Sequence, residues 1–385
     1  MNEMLIMTPG PTAVAENVRL ARSQTTTNPD IDLDFYDFYK ATCEKFGKFL
    51  QTKNDVRILA GEGILGLEAA CASLTEQGTR VLVLDNGIFG RGFADFVTMY
   101  GGAPIFLKSS ETASFDLTLL EEFLEKDHNF KYATVVHCDT PSGVLNDISK
   151  ICPLLKKYGI LTVVDSVAAM GGEPLAVDDW GIDLVLGGSQ KVLSAPPGLT
   201  FVSISQAAYQ AMENRKTPIA SFYCNLLVFK DYFEKRWFPY TMPISDIYGL
   251  GQAIDNLLAD KEILKRHADI AEATRQAIVH SSLQLHLENG FSNTVTVINV
   301  SKETTAQAIL KEMKEHYNVM ITGSFDRLEG KVLRIGHMGE NARASKVAYT
   351  LYALQQTLEN QGVNLLSNLQ DDFLKYYQKL TFDKK

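Results

Sequence analysis

Short apolar runs alternate with helical stretches between residues 53 and 205, and this alternation restricts the possible folds more than any other feature of the sequence. Six or seven buried strands interleaved with helices predict an α/β protein with a mainly parallel, doubly wound sheet. Functional residues of such sheets lie at the carboxyl ends of the strands. The runs are VRILA, RVLVLD, APIFLK, YATVVHCD, ILTVVDS, IDLVLGG and LTFVSIS.

The sequence changes character after about residue 255. A long charged helical stretch covers residues 256–280, and the strand candidates TVTVINV, VMITGS and KVLRIG and a closing helix over residues 344–359 follow it. This pattern predicts a small α+β domain. We therefore expect an N-terminal segment and large domain over residues 1–255 and a small C-terminal domain over residues 256–385. The two should pack together, because no Gly/Ser linker separates them.

Composition and charge exclude several classes of function. The formal net charge of −9 over 385 residues argues against a nucleic-acid or anionic membrane surface. No apolar run reaches the ~18 residues of a membrane-spanning helix, and the N-terminus lacks the basic region of a signal peptide. The five cysteines form no C-x-x-C pair, as expected for reduced thiols. We expect a cytoplasmic protein with no nucleic-acid and no membrane partner.

Gly61, Gly63 and Gly66 form a G-x-G-x-x-G pattern between a strand candidate and a helix candidate. Asp85 follows Gly61 by 85 − 61 = 24 residues, a spacing that allows a dinucleotide site. However, the free N–H groups at a helix N-terminus bind a single phosphate by the same physics. The glycines alone leave both ligands open, and with a single phosphate Asp85 is only an acid of the following loop.

Two neighbouring strand candidates end in residues that suggest covalent chemistry. Asp165 stands at the tip of an otherwise apolar run, and Lys191 stands just past the next run among glycine, serine and proline. A lysine held among small residues at a strand end is a candidate for a lowered pKa and for Schiff-base formation. A lysine and a carboxylate that face a glycine loop match the needs of pyridoxal phosphate.

These residues belong to a series of motifs that resembles the class V pyridoxal-phosphate-dependent aminotransferases. The resemblance is closest to the alanine–glyoxylate and serine–pyruvate branch, which is related to 2-aminoethylphosphonate transaminases. It spans Thr8 to about Leu354, and its most specific part is the pair Asp165 and Lys191, 191 − 165 = 26 residues apart. It implies fold type I of these transferases and a homodimer with shared active sites. The motifs are TPGPT, GEGILGLEAA, DNGIFGRG, HCDTPSGVLND, VDSVAAMGG, GSQKVLSAPPG, YTMP and LRIGHMG.

The resemblance implies roles for four residues around the cofactor ring. Lys191 forms the Schiff base, and Asp165 pairs with the pyridine nitrogen and keeps it protonated. Phe89 stacks on the ring. Thr140 hydrogen-bonds the phenolic oxygen of the ring or its neighbourhood.

The resemblance also implies how the cofactor phosphate is held. The backbone of Glu62, Gly63 and Ile64 surrounds the phosphate together with the side chain of Gln190. Thr241 reaches the same phosphate from the partner subunit.

The substrate site is implied by the motifs LRIGHMG and TPGPT. Arg334 grips the substrate carboxylate as a bidentate fork. Gly336 lies on the same face of its strand and leaves room for a ligand, and Gly10 also belongs to the substrate site.

The sequence departs from the family pattern at three places. Glu62 stands where relatives carry a small hydroxyl residue, and we expect its carboxylate to turn away from the phosphate because the two charges repel. Phe238 replaces a tyrosine common three residues before the position of Thr241. The segment from Thr26 to Pro29 replaces an N-terminal motif of the best-known relatives. This difference weakens any inference of this chain's substrates from theirs.

Each candidate residue also has a plainer interpretation. Lys191 could be an ordinary surface lysine, and Asp165 could cap a helix. Phe89 could be an ordinary side chain of the hydrophobic core, and Thr140 could serve simply as a turn residue before a proline. Arg334 alternates with apolar residues on its strand, so an outward, solvated arginine stays open.

The function implied is transfer of an amino group from a small amino acid to a small 2-oxo acid, with pyridoxal 5′-phosphate as cofactor and no metal. The alternatives are 2-aminoethylphosphonate as donor, a nicotinamide-dependent dehydrogenase, and a binding protein that retains the fold. A desulfurase or lyase is disfavoured, because Gln190 stands where desulfurases carry histidine and because Cys224, the last cysteine, lies 334 − 224 = 110 residues before Arg334. His137, Cys138 and Asp139 invite a metal site but lack a second ligand pair.

Overall fold

A seven-stranded sheet lies at the centre of the computed structural model, which describes residues 4–382. The strands, in chain order, are β1 (Leu5–Ile6), β2 (Asp55–Ala60), β3 (Arg80–Asp85), β4 (Ala103–Lys108), β5 (Tyr132–Val136), β6 (Cys138–Asp139), β7 (Val144–Leu145), β8 (Leu161–Asp165), β9 (Leu184–Gly188), β10 (Leu199–Ile204), β11 (Val295–Asn299), β12 (Val319–Met320) and β13 (Val332–Gly336). The central sheet has the order β2-β10-β9-β8-β5-β3-β4. Within this sheet β10 alone runs in the direction opposite to the other six strands, which confirms the prediction of a mainly parallel sheet.

Twelve α-helices connect and cover the strands of the described chain. They are α1 (Glu16–Ala21), α2 (Leu33–Phe49), α3 (Gly63–Leu74), α4 (Ile88–Met99), α5 (Leu117–Lys126), α6 (Ile148–Lys157), α7 (Gln206–Glu213), α8 (Ile244–Ala259), α9 (Ile263–His280), α10 (Ala306–Tyr317), α11 (Ala344–Asn360) and α12 (Leu369–Phe382). Every residue of β5, β9 and β10 is buried. Burial on both faces explains why the sequences of these strands are largely apolar and contain no charged residue.

The central parallel strands end side by side. Val136 of β5 pairs with Asp165 of β8, which in turn pairs with Leu186 of β9. The YATVVHCD run does not continue as one strand, because β6 leaves the central sheet and pairs with β7. The residues after these three strands therefore emerge at one edge of the sheet, where a ligand site is expected.

The C-terminal part of the chain builds a second hydrophobic core from α9 to α12 around the antiparallel pair β11–β13. The N-terminal strand β1 joins this part, because Leu5 pairs with Val319 of β12 and Met7 lies in the same core. The helical stretch predicted over residues 256–280 is broken between α8 and α9. The predicted domain boundary at residue 255 falls within α8, and the division into two domains stays a prediction.

Candidate active site

A pocket of about 130 Å³ lies at the carboxyl ends of the central strands. Its lining residues are Glu62, Gly63, Ile64, Leu67, Phe89, Cys138, Thr140, Asp165, Val167, Ala168, Gln190 and Lys191. Eight of the eleven residues that the sequence singled out are among them. Larger surface clefts, of about 310 and 530 Å³, contain none of these eleven residues. The chemistry therefore selects the smaller pocket.

Lys191 projects from the turn that follows β9. Its Nζ donates a hydrogen bond to the Pro9 carbonyl oxygen at 2.6 Å. A Cβ built on Gly10 would lie 2.3 to 2.5 Å from the end of the lysine side chain, and Gly10 has φ +102°, so only glycine fits there. Loss of hydration, and then the positive charge of Arg334, lowers the pKa of Lys191 to about 8. The amine is therefore partly unprotonated near neutral pH and can act as a nucleophile.

Asp165 is the last residue of β8 and is buried. Its Oδ1 accepts a hydrogen bond from the Val167 N–H at 2.9 Å, so the carboxylate orders the turn after the strand as well as lining the pocket. Burial raises the pKa of Asp165 to about 7, because no solvent stabilises the charge, and the Asp139 carboxylate adds to the shift. A cationic group in the pocket would restore the charged form.

Asp139 holds the start of α4 against the pocket, a role that the sequence did not suggest. Its carboxylate accepts hydrogen bonds from the Phe89 N–H at 2.9 Å and from the Ser142 hydroxyl at 2.8 Å. A Cβ on Gly87 would lie 2.5 to 2.8 Å from this carboxylate. The available sequence signal was an acid at a strand end followed three residues later by serine, which is typical of a turn. Asp139 thus fixes where Phe89 enters the pocket.

The metal interpretation of residues 137–139 receives no support. Within residues 4–382, no group of three or more histidine, cysteine or acidic residues could hold a metal ion. His137 Nδ1 instead forms a hydrogen bond with the Ser166 hydroxyl at 3.0 Å. Over the same residues, no helix combines the length and the apolar character needed to cross a membrane.

Arg334 lies on β13 and is only 8% exposed, so the solvated interpretation is wrong. Its Nε donates to the Gly323 carbonyl at 2.6 Å and its Nη1 donates to the Thr140 carbonyl at 3.2 Å. Burial lowers the pKa of Arg334 to about 10. The guanidinium keeps its charge at neutral pH, and the two carbonyls fix it next to Thr140, which lines the pocket.

Phe89 is half-buried and lines the pocket. Its ring meets the Phe325 ring edge-on, with the ring centroids 6.1 Å apart. The Phe325 ring centroid in turn lies 5.8 Å from the Arg334 guanidinium. Phe325 was missed at the sequence level, because it lies in a loop without a motif. It joins the aromatic wall of the pocket to the arginine.

Glu62 is the N-cap residue of α3, and its carboxylate does not turn away as expected. One carboxylate oxygen, Oε1, accepts the Ile64 N–H at 3.1 Å, and the other, Oε2, accepts Nε2 of Gln190 at 3.2 Å. The prediction failed because a carboxylate at a helix N-terminus gains from the helix dipole and the free N–H groups. Glu62 therefore binds two of the donors assigned to the cofactor phosphate.

Two further residues lie away from the pocket of their own chain. Thr241 is exposed, and its hydroxyl donates to the Asp30 carboxylate at 3.3 Å. Phe238 is buried and stacks on Tyr36, with the ring centroids 4.5 Å apart. The departure at residue 238 thus completes an aromatic core.

Two sequence-based expectations are wrong for reasons of packing. The space beside Gly336 is filled by the backbone of Thr8 and Pro9, 2.4 Å from where a Cβ would lie, so it leaves no room for a ligand. Asp85 is not a loop acid but the buried last residue of β3, and it forms an ion pair with Arg91 at 3.2 Å.

A mainly parallel α/β sheet with a lysine amine and a buried carboxylate at adjoining strand ends defines a transferase of the pyridoxal phosphate type. The family model of aminotransferase class V matches residues 19–323. The chain therefore belongs to the class V aminotransferases, and the dinucleotide interpretation is wrong.

Individual relatives agree with this assignment. The pyridoxamine–pyruvate transaminase of Mesorhizobium japonicum is 30% identical over 372 residues, covering 94% of this chain and 93% of that protein. The alanine–glyoxylate aminotransferase of Callithrix jacchus is 31% identical over 320 residues, covering 80% and 77%. A crystal structure of ureidoglycine–glyoxylate aminotransferase from Bacillus subtilis has a TM-score of 0.92 at 26% identity, covering 98% and 99%. The predicted family and fold are confirmed, and the protein is a pyridoxal-phosphate-dependent aminotransferase.

The two ends of the pocket fit the cofactor unequally. Lys191, Asp165 and Phe89 offer an amine, a carboxylate and an aromatic wall to the aldehyde and pyridine part of pyridoxal phosphate. At the phosphate end, the Ile64 N–H and the Gln190 amide already donate to the carboxylate of Glu62. The ring end of the pocket fits, whereas a phosphate has to displace an acid.

Proposed function

We propose that the enzyme moves an amino group from a small amino acid, such as alanine or serine, to a small 2-oxo acid, glyoxylate or pyruvate. Donor and acceptor use the same site in turn, which is a ping-pong mechanism. The observation that carries the proposal is the buried Arg334 beside a pocket of about 130 Å³ that also contains Lys191. A small site with one fixed guanidinium suits small carboxylates.

Pyridoxal phosphate, when bound, supplies a carbonyl that carries the amino group and a ring that withdraws electrons. Asp165 is the group that would hold a proton on the pyridine nitrogen, since a cation beside it restores the charge that burial disfavours. Lys191, with a pKa near 8, can take and return a proton at the substrate Cα. Arg334 orients the carboxylate, so that the Cα faces the lysine.

A homodimer is part of this proposal. Thr241 lies outside the pocket of its own chain and is exposed, which suits the phosphate contact across a subunit interface that the family resemblance implies. Exposed aromatic side chains of the same segment, Phe222, Tyr223 and Trp237, offer apolar area for such an interface.

A spectrum and a substrate screen test the proposed function. Purified enzyme should absorb in the visible range, and each competent donor should change that spectrum without any acceptor present. The donors to compare are alanine, serine, 2-aminoethylphosphonate and pyridoxamine, followed by glyoxylate and pyruvate as acceptors. A spectrum that no amino acid changes would refute the transaminase proposal.

Arg334→Lys should lower kcat/KM for amino acids by roughly 30- to 1,000-fold, as expected when one partner of a desolvated charge pair is replaced. Lysine keeps the charge but loses the planar fork that orients a carboxylate. Steady-state kinetics on alanine and glyoxylate measure the loss, and cofactor absorbance should stay unchanged. An amine without a carboxylate serves as the control donor and should be affected far less. Equal kinetics of Arg334→Ala and the wild type on every carboxylate substrate would remove Arg334 from the substrate site.

A further inference from the structure

The phosphate end of the pocket contains an acid of the protein itself. Glu62 Oε1 accepts from the first turn of α3, and Oε2 accepts from Gln190, which lies 128 residues away in sequence and precedes Lys191. Gln190 is 7% exposed, and its Oε1 has no hydrogen-bond partner in the described structure. The amide is therefore held in the pocket by its bond to Glu62.

Glu62 differs from Asp116, the N-cap residue of α5, in what its carboxylate binds. Asp116 caps α5 through the N–H groups of Thr118 and Leu119, on the exposed surface of the protein. Glu62 caps α3 in the same manner but also binds a side chain of the loop that carries the reactive lysine. Its carboxylate thus joins the two elements that surround the phosphate end of the pocket.

We propose that Glu62 is the specificity-determining residue for the phosphate end of the pyridine ligand. Its carboxylate occupies the hydrogen-bond donors that would otherwise bind a phosphate. The pocket therefore accepts the unphosphorylated vitamers pyridoxal and pyridoxamine, and it binds their phosphates less tightly than a pocket with a neutral residue at position 62 would. The inference rests on the proposed function only in taking this pocket as the site of the pyridine ligand.

The charges at the pocket support this discrimination. A phosphate monoester carries a charge of about −1.5 to −2 at neutral pH, and it would meet the Glu62 carboxylate at the same two donors. Asp165 and Asp139 add further acids nearby, against the cations of Lys191 and Arg334. The neutral hydroxymethyl group of pyridoxal or pyridoxamine instead can donate a hydrogen bond to a carboxylate acceptor. An alcohol therefore gains a contact where a phosphate meets repulsion.

The test compares the affinities of pyridoxamine and pyridoxamine phosphate for ligand-free enzyme by isothermal titration calorimetry. Both ligands lack an aldehyde, so neither bonds covalently to Lys191, and their shared ring contacts cancel in the ratio of the two dissociation constants. The wild type should bind pyridoxamine at least as tightly as its phosphate. In Glu62→Ser, affinity for the phosphate relative to pyridoxamine should rise on the order of 10- to 100-fold, the value of a hydrogen bond to a charged group.

Two further variants separate charge from size and from capping. Glu62→Gln keeps the length and an oxygen acceptor for the Ile64 N–H but removes the charge, and it should shift the ratio in the same direction as Glu62→Ser. Asp116→Ser removes a cap from α5 outside the pocket and should leave the ratio unchanged, while thermal unfolding reports whether each variant folds. A wild type that prefers the phosphate, or a ratio that changes less than about tenfold in both Glu62 variants, overturns the proposal. Spectral changes with alanine test the transaminase function separately, so either idea can fail alone.

Discussion

Lys191→Ala is expected to abolish transamination, with kcat reduced on the order of 10⁴-fold or more, because one residue supplies both the nucleophile and the base. The side chain lines the pocket, its Nζ is oriented by the Pro9 carbonyl, and its pKa lies near 8. Alanine removes all three features without filling the pocket. Single-turnover mixing with alanine measures the loss, and circular dichroism checks the fold.

The matched control is Lys150→Ala, which removes an exposed lysine of α6 that pairs with Asp147, the N-cap residue of the same helix. It should react like the wild type. Borohydride reduction of wild-type enzyme in the presence of pyridoxal should attach the ligand to the peptide that contains Lys191. The yield at short times should rise as pH increases through about 8, since only the uncharged amine attacks a carbonyl. Label on another lysine would refute the assignment.

The parallel sheet could be predicted because its strands are buried on both faces, so that runs such as those of β5 and β9 carry no charged residue. The same regularity predicts that Asp165 and Lys191 lie at one edge of the sheet, since parallel strands end on the same side. The break between α8 and α9 was missed, because charged helical residues continue across it. The helix α12 was missed too, since it lies beyond the last family motif, and its packing on the second core is a tertiary effect.

Contacts between distant residues explain the other failures at the site. The position of the Glu62 side chain depends on Gln190, 128 residues away. The space beside Gly336 depends on Pro9, which the pairing of β1 with β12 and the hydrogen bond from the Gly336 N–H to the Met7 carbonyl bring close. Local sequence carries no signal for either contact. Departures from a family motif thus indicate where the site differs, whereas the way in which it differs depends on tertiary contacts.

Asp165→Asn should lower kcat on the order of 100- to 5,000-fold, since loss of a buried charge partner costs about 3–5 kcal/mol. An amide can still accept the Val167 N–H but cannot hold a proton on a pyridine nitrogen. The substitution should therefore leave the backbone geometry and the binding of pyridoxal phosphate intact. Stopped-flow spectra with alanine measure the loss, and activity within about threefold of the wild type would remove Asp165 from the mechanism.

The free energy of unfolding is a second measurement on Asp165→Asn, and it should rise in the variant whose activity falls. In the ligand-free enzyme, burial raises the pKa of Asp165 from 3.8 to about 7, so the folded state holds this proton more tightly than the unfolded state. The contribution of Asp165 to the free energy of unfolding is thus greatest below pH 4, falls as pH rises towards 7, and stays low above it. Asparagine cannot ionise, so ligand-free Asp165→Asn should match the wild type near pH 4 and exceed it by up to ~4 kcal/mol above pH 7. Denaturant titrations at both pH values measure the difference. An inactive variant that is also less stable at pH 8 would point to a damaged fold, whereas an inactive and more stable one shows that a costly buried charge is kept for chemistry.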